Sequence, residues 1–528
     1  MVLEVTFFGG AGDYEHGELG GVQVLFNDLE LRSSFMLDIG QRPDHFGQYF
    51  GFPYRPKSYD YLSLSDFLGM YPKLSGIYRY DYELHRGNKT SHLPIEGILL
   101  SHPHFDHAGG LTLVRHDLPV FMSRESKLTL YLWQNSGART LNQFVDVYDQ
   151  FTIVPNSVGG EKFLLGDEAS LSRDIRIYED QKQFNIGNFK ITPYRVDHSI
   201  AGSYAFVIET SVGNLAISGD IRQRGRFPEF THYYLEMLHK GNIKYFMLEG
   251  SLLHFEHSGN EKKVGAAVSE LLKGRTMAAI AYPPREYERL TSLVEASKES
   301  GRMLVISAAQ AIGLRSFDGL NGYPKIDSKH IGVLLPRKRK GLIDRHEFSE
   351  DLIERDYFAW ERQFLDRETW GKSGEAKRKV QRVRLQDIRD NQDKFLVYMP
   401  FNSMLDMLGE INPRKGSIYI RSHPGPWTTE MEISETRQIN FLKEHGMYDG
   451  PQPDFFDEET KRKMHQVHVT GHFNRNECRA AINKVIEGNP DVTLIPYHCM
   501  YPKDFPEDVA KRAKKVIVPM RGEKIILT

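Results

Sequence analysis

Cysteine is nearly absent: Cys478 and Cys499 are the two in 528 residues. That excludes a disulfide framework and a cysteine zinc cage, and it fits a reducing compartment. No sign of charge prevails either. Lys and Arg number 68 against 70 for Asp and Glu, so no global basic field announces a nucleic acid. Any such contact has to come from a local cluster or a directed cleft. No apolar run is long enough to span a bilayer, and the opening MVLEVTFFGGAG lacks the basic and apolar regions of a signal peptide. The expectation is a cytoplasmic protein with no membrane partner. Repeats and low-complexity tracts are missing too, and the length calls for two to four ordinary domains or two large ones.

What is present begins as β structure. Residues 2–8 alternate like a strand, Gly9 to Gly12 read as a turn, and GGVQVLFN and SSFMLDIG as further strands. PIEGILLSHPHFDHAGGLTLV places a buried strand, Gly97 to Leu100, directly before a cluster of His and Asp. FKITPYRVDHS and SYAFVIETSVGNLAISGD then end apolar runs on His198 and Asp220. From about Arg222 the pattern becomes helix and strand alternation, with KYFMLEGS, TMAAIAY and MLVISAA as short strands and EYERLTSLVEASKES as an amphipathic helix. Residues 337–395 are highly charged, anchored by Trp360 and Trp370, and read as a solvated helical excursion. Strands FLVYM and GSIYIRS follow. RSHPGPW, with Arg421, His423 and Trp427, reads as a proline-punctuated loop outside the site. The closing stretch gives strand, loop, helix and strand, the helix capped by Asn474 or Asn476.

In SHPHFDHAGG three imidazoles and one carboxylate, His102, His104, Asp106 and His107, fall within six positions. Neutral imidazole nitrogen and carboxylate oxygen bind zinc at about 2.0 to 2.2 Å, and catalytic sites keep a place for water. Alternation turns His102, His104 and Asp106 to one side of an extended loop, while His107 can reach a second ion. Four ligands cannot complete two sites, and His198 and Asp220 are strand-end candidates to help.

The pattern HxHxDH, then an isolated His, then GD, resembles the metallo-β-lactamase superfamily. The resemblance assigns His102, His104 and His198 to one metal, Asp106 and His107 to a second, Asp220 to both as a bridge, and Asp38 in LDIG to a structural role. HVTGHFNRNE followed by LIPYHCM is similar to the end of the β-CASP nucleases, particularly the ribonuclease J family, and KYFMLEGS and PPREYERL extend the match over nearly the whole chain. It implies an α/β fold: a metallo-β-lactamase αββα sandwich (1–222, returning at 461–528) interrupted by an inserted α/β β-CASP domain (223–460).

Glu249 then corresponds to the family's acidic motif, His472 to its histidine motif, and His498 to the ligand completing the second metal. His472 would protonate the leaving oxygen, held in its imidazolium form by Glu249. His468 and Thr470 lie where the family contacts the substrate phosphate. The implied cofactors are two Zn2+ ions per chain, with Mn2+ an alternative. The implied activity is hydrolysis of single-stranded RNA, as exonuclease or endonuclease, with single-stranded DNA as a second substrate and a homo-oligomer left open. The rival readings are a hydrolase of a small ester, thioester or lactone, which the same ligands would serve, and a non-catalytic scaffold in RNA processing. Several features depart from the family, among them DYEHGE, which interrupts the first glycine-rich turn, a Tyr-rich segment at about 44–92 that precedes the metal cluster and would remodel the cleft rim, Thr470 in place of the usual Ser, and Cys499 where Gly is usual.

Overall fold

The computed structural model describes residues 1–12, 20–50, 62, 67–88, 92–136, 143–148, 152–164, 171–254, 259–317, 323–326, 329–338, 340–341, 347–364, 380–426, 429–449, 466–499, 501–505 and 510–528. The DYEHGE interruption, Trp370, Trp427, parts of the 44–92 and 337–395 segments and the boundary expected at 460 lie outside them. Two compact units emerge, Met1–His257 with Gly471–Thr528, and Ser258–Thr470.

The first unit is built on two seven-stranded sheets. Leu3–Gly9 buries every second residue, as a strand covered on one face must. It pairs antiparallel with Gln23–Asp28 and, on its other side, with Lys524–Leu527 near the end of the chain. Ser33–Leu37, Ile98–Leu99, Val120–Met122 and Ile175–Ile177 continue this sheet, parallel from Ser33–Leu37 onward. The second sheet runs Phe184–Ile186, Phe189–Arg195, Tyr204–Thr210, Gly213–Ile217, Ile243–Gly250, Thr493–Cys499, Lys515–Val516. Thr493–Cys499 is buried at every position, as a parallel strand covered on both faces should be.

One core joins the two sheets, with Val5, Phe7, Phe26 and Phe35 packed together with Phe189, Phe206, Ile217, Met247 and Ile495. A second core lays Tyr234, Leu238, Ile482 and Val485, from helices Pro228–Lys240 and Arg475–Gly488, over Ala216, Phe246 and Leu494. A third gathers Leu111, Leu113 and Leu130 against Met36, Ile98 and Val120. Helices outside, two sheets inside: this is the expected αββα sandwich, and burial of these apolar faces is its main driving force. KYFMLEGS, expected to open the inserted domain, instead forms Ile243–Gly250 in the middle of the second sheet, so the first unit continues to His257.

The second unit holds a seven-stranded parallel sheet in the order Gln381–Val383, Ile331–Leu334, Met303–Ser307, Phe395–Tyr398, Ala278–Ala281, Ile418–Arg421, Tyr448–Asp449. Helices Glu261–Leu272, Tyr287–Glu299, Ala308–Ser316, Phe401–Ile411 and Thr429–Glu444 connect or flank its strands. Among the described residues, no helix is long and apolar enough to cross a membrane.

Candidate metal centre

Each chemically active side chain of the first unit sits where a strand ends. Leu99 ends its strand three residues before His102, and the chain turns through Pro103 into the short helix Phe105–Ala108, which carries Asp106 and His107. His198 follows Phe189–Arg195, and Asp220 follows Gly213–Ile217. His498 has a different origin. The register of Ile243–Gly250 with Thr493–Cys499 pairs Glu249 with Tyr497 and Gly250 with Cys499, which leaves His498 as an unpaired bulge residue. Its φ of 47° is left-handed, and its backbone N–H is spent on Gly10 O at 2.7 Å. The bulge turns its ring toward Asp106.

These residues converge. His102 Nε2 and His198 Nε2 lie 3.1 and 3.0 Å from His104 Nδ1. Asp220 Oδ2 is 3.5 Å from His102 Nε2, 3.8 Å from His198 Nε2 and 3.3 Å from His107 Nε2. Asp106 Oδ2 is 3.3 Å from His498 Nε2 and 3.9 Å from His107 Nε2. Three donor groups result: His102–His104–His198–Asp220 and Asp106–His107–Asp220–His498, which share Asp220, and Glu249–His472–His498, which shares His498 with the second.

The tautomers are set from behind. Gly471 O can only accept, so His198 Nδ1 donates to it at 2.5 Å and Nε2 keeps its lone pair for the site. Asp38 Oδ2 lies 2.7 Å from His107 Nδ1 and accepts from Ser101 Oγ at 2.8 Å, while Asp38 Oδ1 accepts from Ser101 N at 2.7 Å. Ser251 Oγ meets His498 Nδ1. Asp38, like His498, is left-handed, with φ 54°.

Charge follows geometry. Burial, reinforced by neighbouring imidazoles, holds His102 and His198 well below the usual histidine range and brings His104 to about 4, so all three are neutral. Burial also opposes charge on His107, but the carboxylates of Asp220, Asp38 and Asp106 outweigh it and raise that imidazole well above its usual range. Burial alone would raise Asp106 and Asp220; the surrounding imidazoles, His107 foremost, hold both well below the ordinary carboxylate range.

Do these residues fit metal ions? His107 Nε2 and both oxygens of Asp220 are buried with no hydrogen-bond partner. Orphaned polar atoms of this kind are costly unless something compensates them. Within each group the donor atoms lie within 4.8 Å of one another, and all are imidazole nitrogen or carboxylate oxygen. Donor sets of this kind fit a divalent cation.

Beside the groups stands a third pair. Glu249, fully buried, accepts backbone N–H groups from Ser251 at 3.0 Å and Phe473 at 3.2 Å. Its Oε1 lies 3.2 Å from His472 Nδ1, which is also 3.7 Å from Asp220 Oδ2. Burial would lower His472, but Glu249 and then Asp220 bring it up to about 9. His472 and Asp106 are the more open members, their side chains 23% and 25% exposed.

All seven expected ligands, together with Glu249 and His472, therefore gather in the first unit. His468 and Thr470 belong to the second, next in sequence to the return at Gly471. Sequence reasoning missed Ser101, Ser251 and Gly471. The signal available was that each lies within two residues of a ligand or of Glu249 or His472 in the chain.

Comparison with known proteins agrees. Residues 89–279 match the model of the metallo-beta-lactamase superfamily. Ribonuclease J of Mycoplasma genitalium is 22% identical over 240 residues, 42% of this chain and 37% of that protein. Ribonuclease J of Thermus thermophilus is 22% identical over 264 residues, 48% of this chain and 40% of that protein. The chain thus spans less than half the length of these curated relatives. The crystal structure of a protein of unknown function from Enterococcus faecalis is similar in fold, with a TM-score of 0.64 and 16% identity over 100% of both chains. Residues 89–279 thus match the metallo-beta-lactamase superfamily, the chain carries a His/Asp cluster able to bind metal ions, and it is similar to ribonuclease J.

Proposed function

We propose that the chain hydrolyses phosphodiester bonds of single-stranded RNA, with two divalent ions, zinc or manganese, as cofactors. The observation that carries this reading is the Glu249–His472 pair set against Asp220, beside two donor groups that share that carboxylate. His102, His104, His198 and Asp220 would hold one ion, and Asp106, His107, Asp220 and His498 the other. Bound there, the ions would supply an activated water and neutralise charge on the scissile phosphate.

The chain's own part is proton supply and placement. Glu249 accepts from His472 Nδ1, so Nε2 is the nitrogen that passes a proton to the leaving oxygen. Its buried carboxylate also favours the imidazolium form. A thioester's thiolate, a leaving group of low basicity, needs no such acid, whereas the alkoxide that leaves a phosphodiester gains from one. His468 and Thr470 would contact the substrate phosphate, and the names of the curated relatives support RNA as substrate.

The test is to incubate metal-loaded protein and its Asp106→Ala variant with end-labelled single-stranded RNA bearing a 5′ monophosphate, with matching DNA alongside. RNA cleavage that is lost in the variant supports the reading, mononucleotide marking exonuclease action and longer fragments an endonuclease. Intact RNA, with turnover of a small ester or lactone, overturns it.

A further inference from the structure

The short stretch from Asp220 to Gly225 does more than present one carboxylate. Arg222 is 1% exposed, and its Nε lies 3.1 Å from Asp197 Oδ1. Its backbone N–H donates to Asp197 O at 2.8 Å. Gly225 N donates to the other oxygen, Asp197 Oδ2, at 2.8 Å. A Cβ at position 225 would stand 2.0 Å from Asp197 Oδ1 and 2.4 Å from Arg222 Nε, so glycine is required for this pair to close. Asp197 in turn is pinned through its own N–H to Thr231 Oγ1 at 2.9 Å, on helix Pro228–Lys240.

Two positions along, Arg224 Nε meets Glu477 Oε1 and Oε2 at 3.2 and 3.1 Å. Glu477 belongs to the capping box that starts helix Arg475–Gly488, directly after His472 and Phe473. Ile221 N lies 3.4 Å from Glu249 Oε1. Alternate residues of one stretch therefore reach three places: Asp220 the donor groups, Arg222 the residue before His198, Arg224 the turn after His472.

A fully buried ion pair is a poor way to gain stability, because desolvation of both charges offsets their attraction. Its two fixed donors and two fixed acceptors do define a geometry, however. We infer that Arg222, held by Asp197, is a positioning residue that fixes His198 Nε2 against Asp220 Oδ2 and so sets the affinity of the His102–His104–His198–Asp220 group for its divalent ion. The inference rests on the two-ion reading above. Asparagine at 197 would keep the shape but place an amide N–H against Arg222 Nε or Gly225 N, breaking one arm of the pair. Lysine at 222 keeps the charge and loses the Nε contact.

The experiment strips the full-length protein of metal and titrates it with Co2+ alone. It follows stoichiometry, affinity by chelator competition, and the visible absorption of the bound ion. Arg222→Lys, Asp197→Asn and the charge-free double variant Asp197→Leu/Arg222→Met are compared with the parent. Groups hydrogen-bonded to a ligating histidine typically carry about 10–100-fold in metal affinity, and Asp197 and Arg222 stand one link behind His198. Each variant is expected to lose about that much at one of two ions and to alter its Co2+ spectrum. The double variant restores an uncharged, filled interior, so it keeps cooperative melting even if the single variants do not fold. Parental affinity and spectrum in a cooperatively melting double variant overturn the positioning role while leaving the two-ion reading intact. A parent that takes up no Co2+ overturns both.

Discussion

Asp38→Asn tests whether proton placement behind the cluster matters as the geometry says. Asp38 is not among the donors of either group, yet its Oδ2 lies 2.7 Å from His107 Nδ1 and its Oδ1 accepts from Ser101 N at 2.7 Å. A carboxylate accepts on both sides. An asparagine that keeps its oxygen on Ser101 N turns its NH2 toward His107 Nδ1, and that nitrogen must then accept. The ring proton moves to Nε2, the atom that faces Asp220 at 3.3 Å and would ligate an ion. Side-chain volume is unchanged, and a left-handed residue at φ 54° suits Asn at least as well as Asp. Backbone strain is thus removed as an explanation.

The expected loss is that of a charge-assisted hydrogen bond plus an unfavourable tautomer, about 10–100-fold in affinity for the ion at Asp106–His107–Asp220–His498, or about 1.4–2.7 kcal/mol. Isothermal titration of metal-stripped protein with Zn2+ reads this directly. The parent should show two events and the variant one of them weakened, with far-UV circular dichroism unchanged. Two events of parental affinity would refute the tautomer argument.

Asp106→Ala removes a donor from one group only, so metal analysis should find about one ion per chain where the parent holds about two, with hydrolysis lost. Gly471→Ala places a Cβ 2.6 Å from His198 Cε1 and 2.7 Å from Ser199 Oγ, so the ligand ring must shift. Overpacking of this sort costs about 1–3 kcal/mol, and a lower melting temperature should accompany weaker binding at the His198 ion. His472→Gln should leave two ions bound but slow cleavage on the order of 10²–10⁴-fold. The imidazolium is the donating form, populated below its pKa and lost as pH rises through it, at about 9 before cations bind. The rate should therefore fall on the alkaline side of a pH profile, and this limb should be missing in the variant.

How much of this was legible in the sequence depended on how local each feature is. His102, His104, Asp106 and His107 are neighbours in one loop, so their spacing alone points to a metal. His198 and Asp220 showed themselves as polar residues at the ends of apolar runs, but their meeting across the second sheet came only from the family pattern. His498 illustrates the gap: within LIPYHC it reads as one more buried strand residue, and only the register slip against Glu249–Gly250 explains why it faces the site. The helix start left open between Asn474 and Asn476 is decided by a side chain, Asn474 Oδ1 accepting from Glu477 N at 2.9 Å. The error over Ile243–Gly250 has a simple cause. A parallel strand covered on both faces is a continuous apolar run in either unit, and composition does not reveal which neighbour it pairs with.

Two of the supports missed by sequence reasoning, Gly471 and Ser251, share one property, and it explains both why they were missed and why they matter. Gly471 O reaches His198 across 273 positions, and Ser251 reaches His498 across 247. No periodicity encodes such a contact. A histidine has two nitrogens, and whether it ligates or repels a cation depends on which one holds the proton. Each long-range partner makes that choice: a backbone carbonyl for His198, a carboxylate for His107. The cluster in HPHFDH therefore names a metal-binding chemistry without fixing its protonation, and protonation is supplied by residues 69 to 273 positions away. A chain with the same ligand motif but different residues at Asp38, Asp197, Arg222 and Gly471 would place the same donors while differing in how tightly they hold an ion.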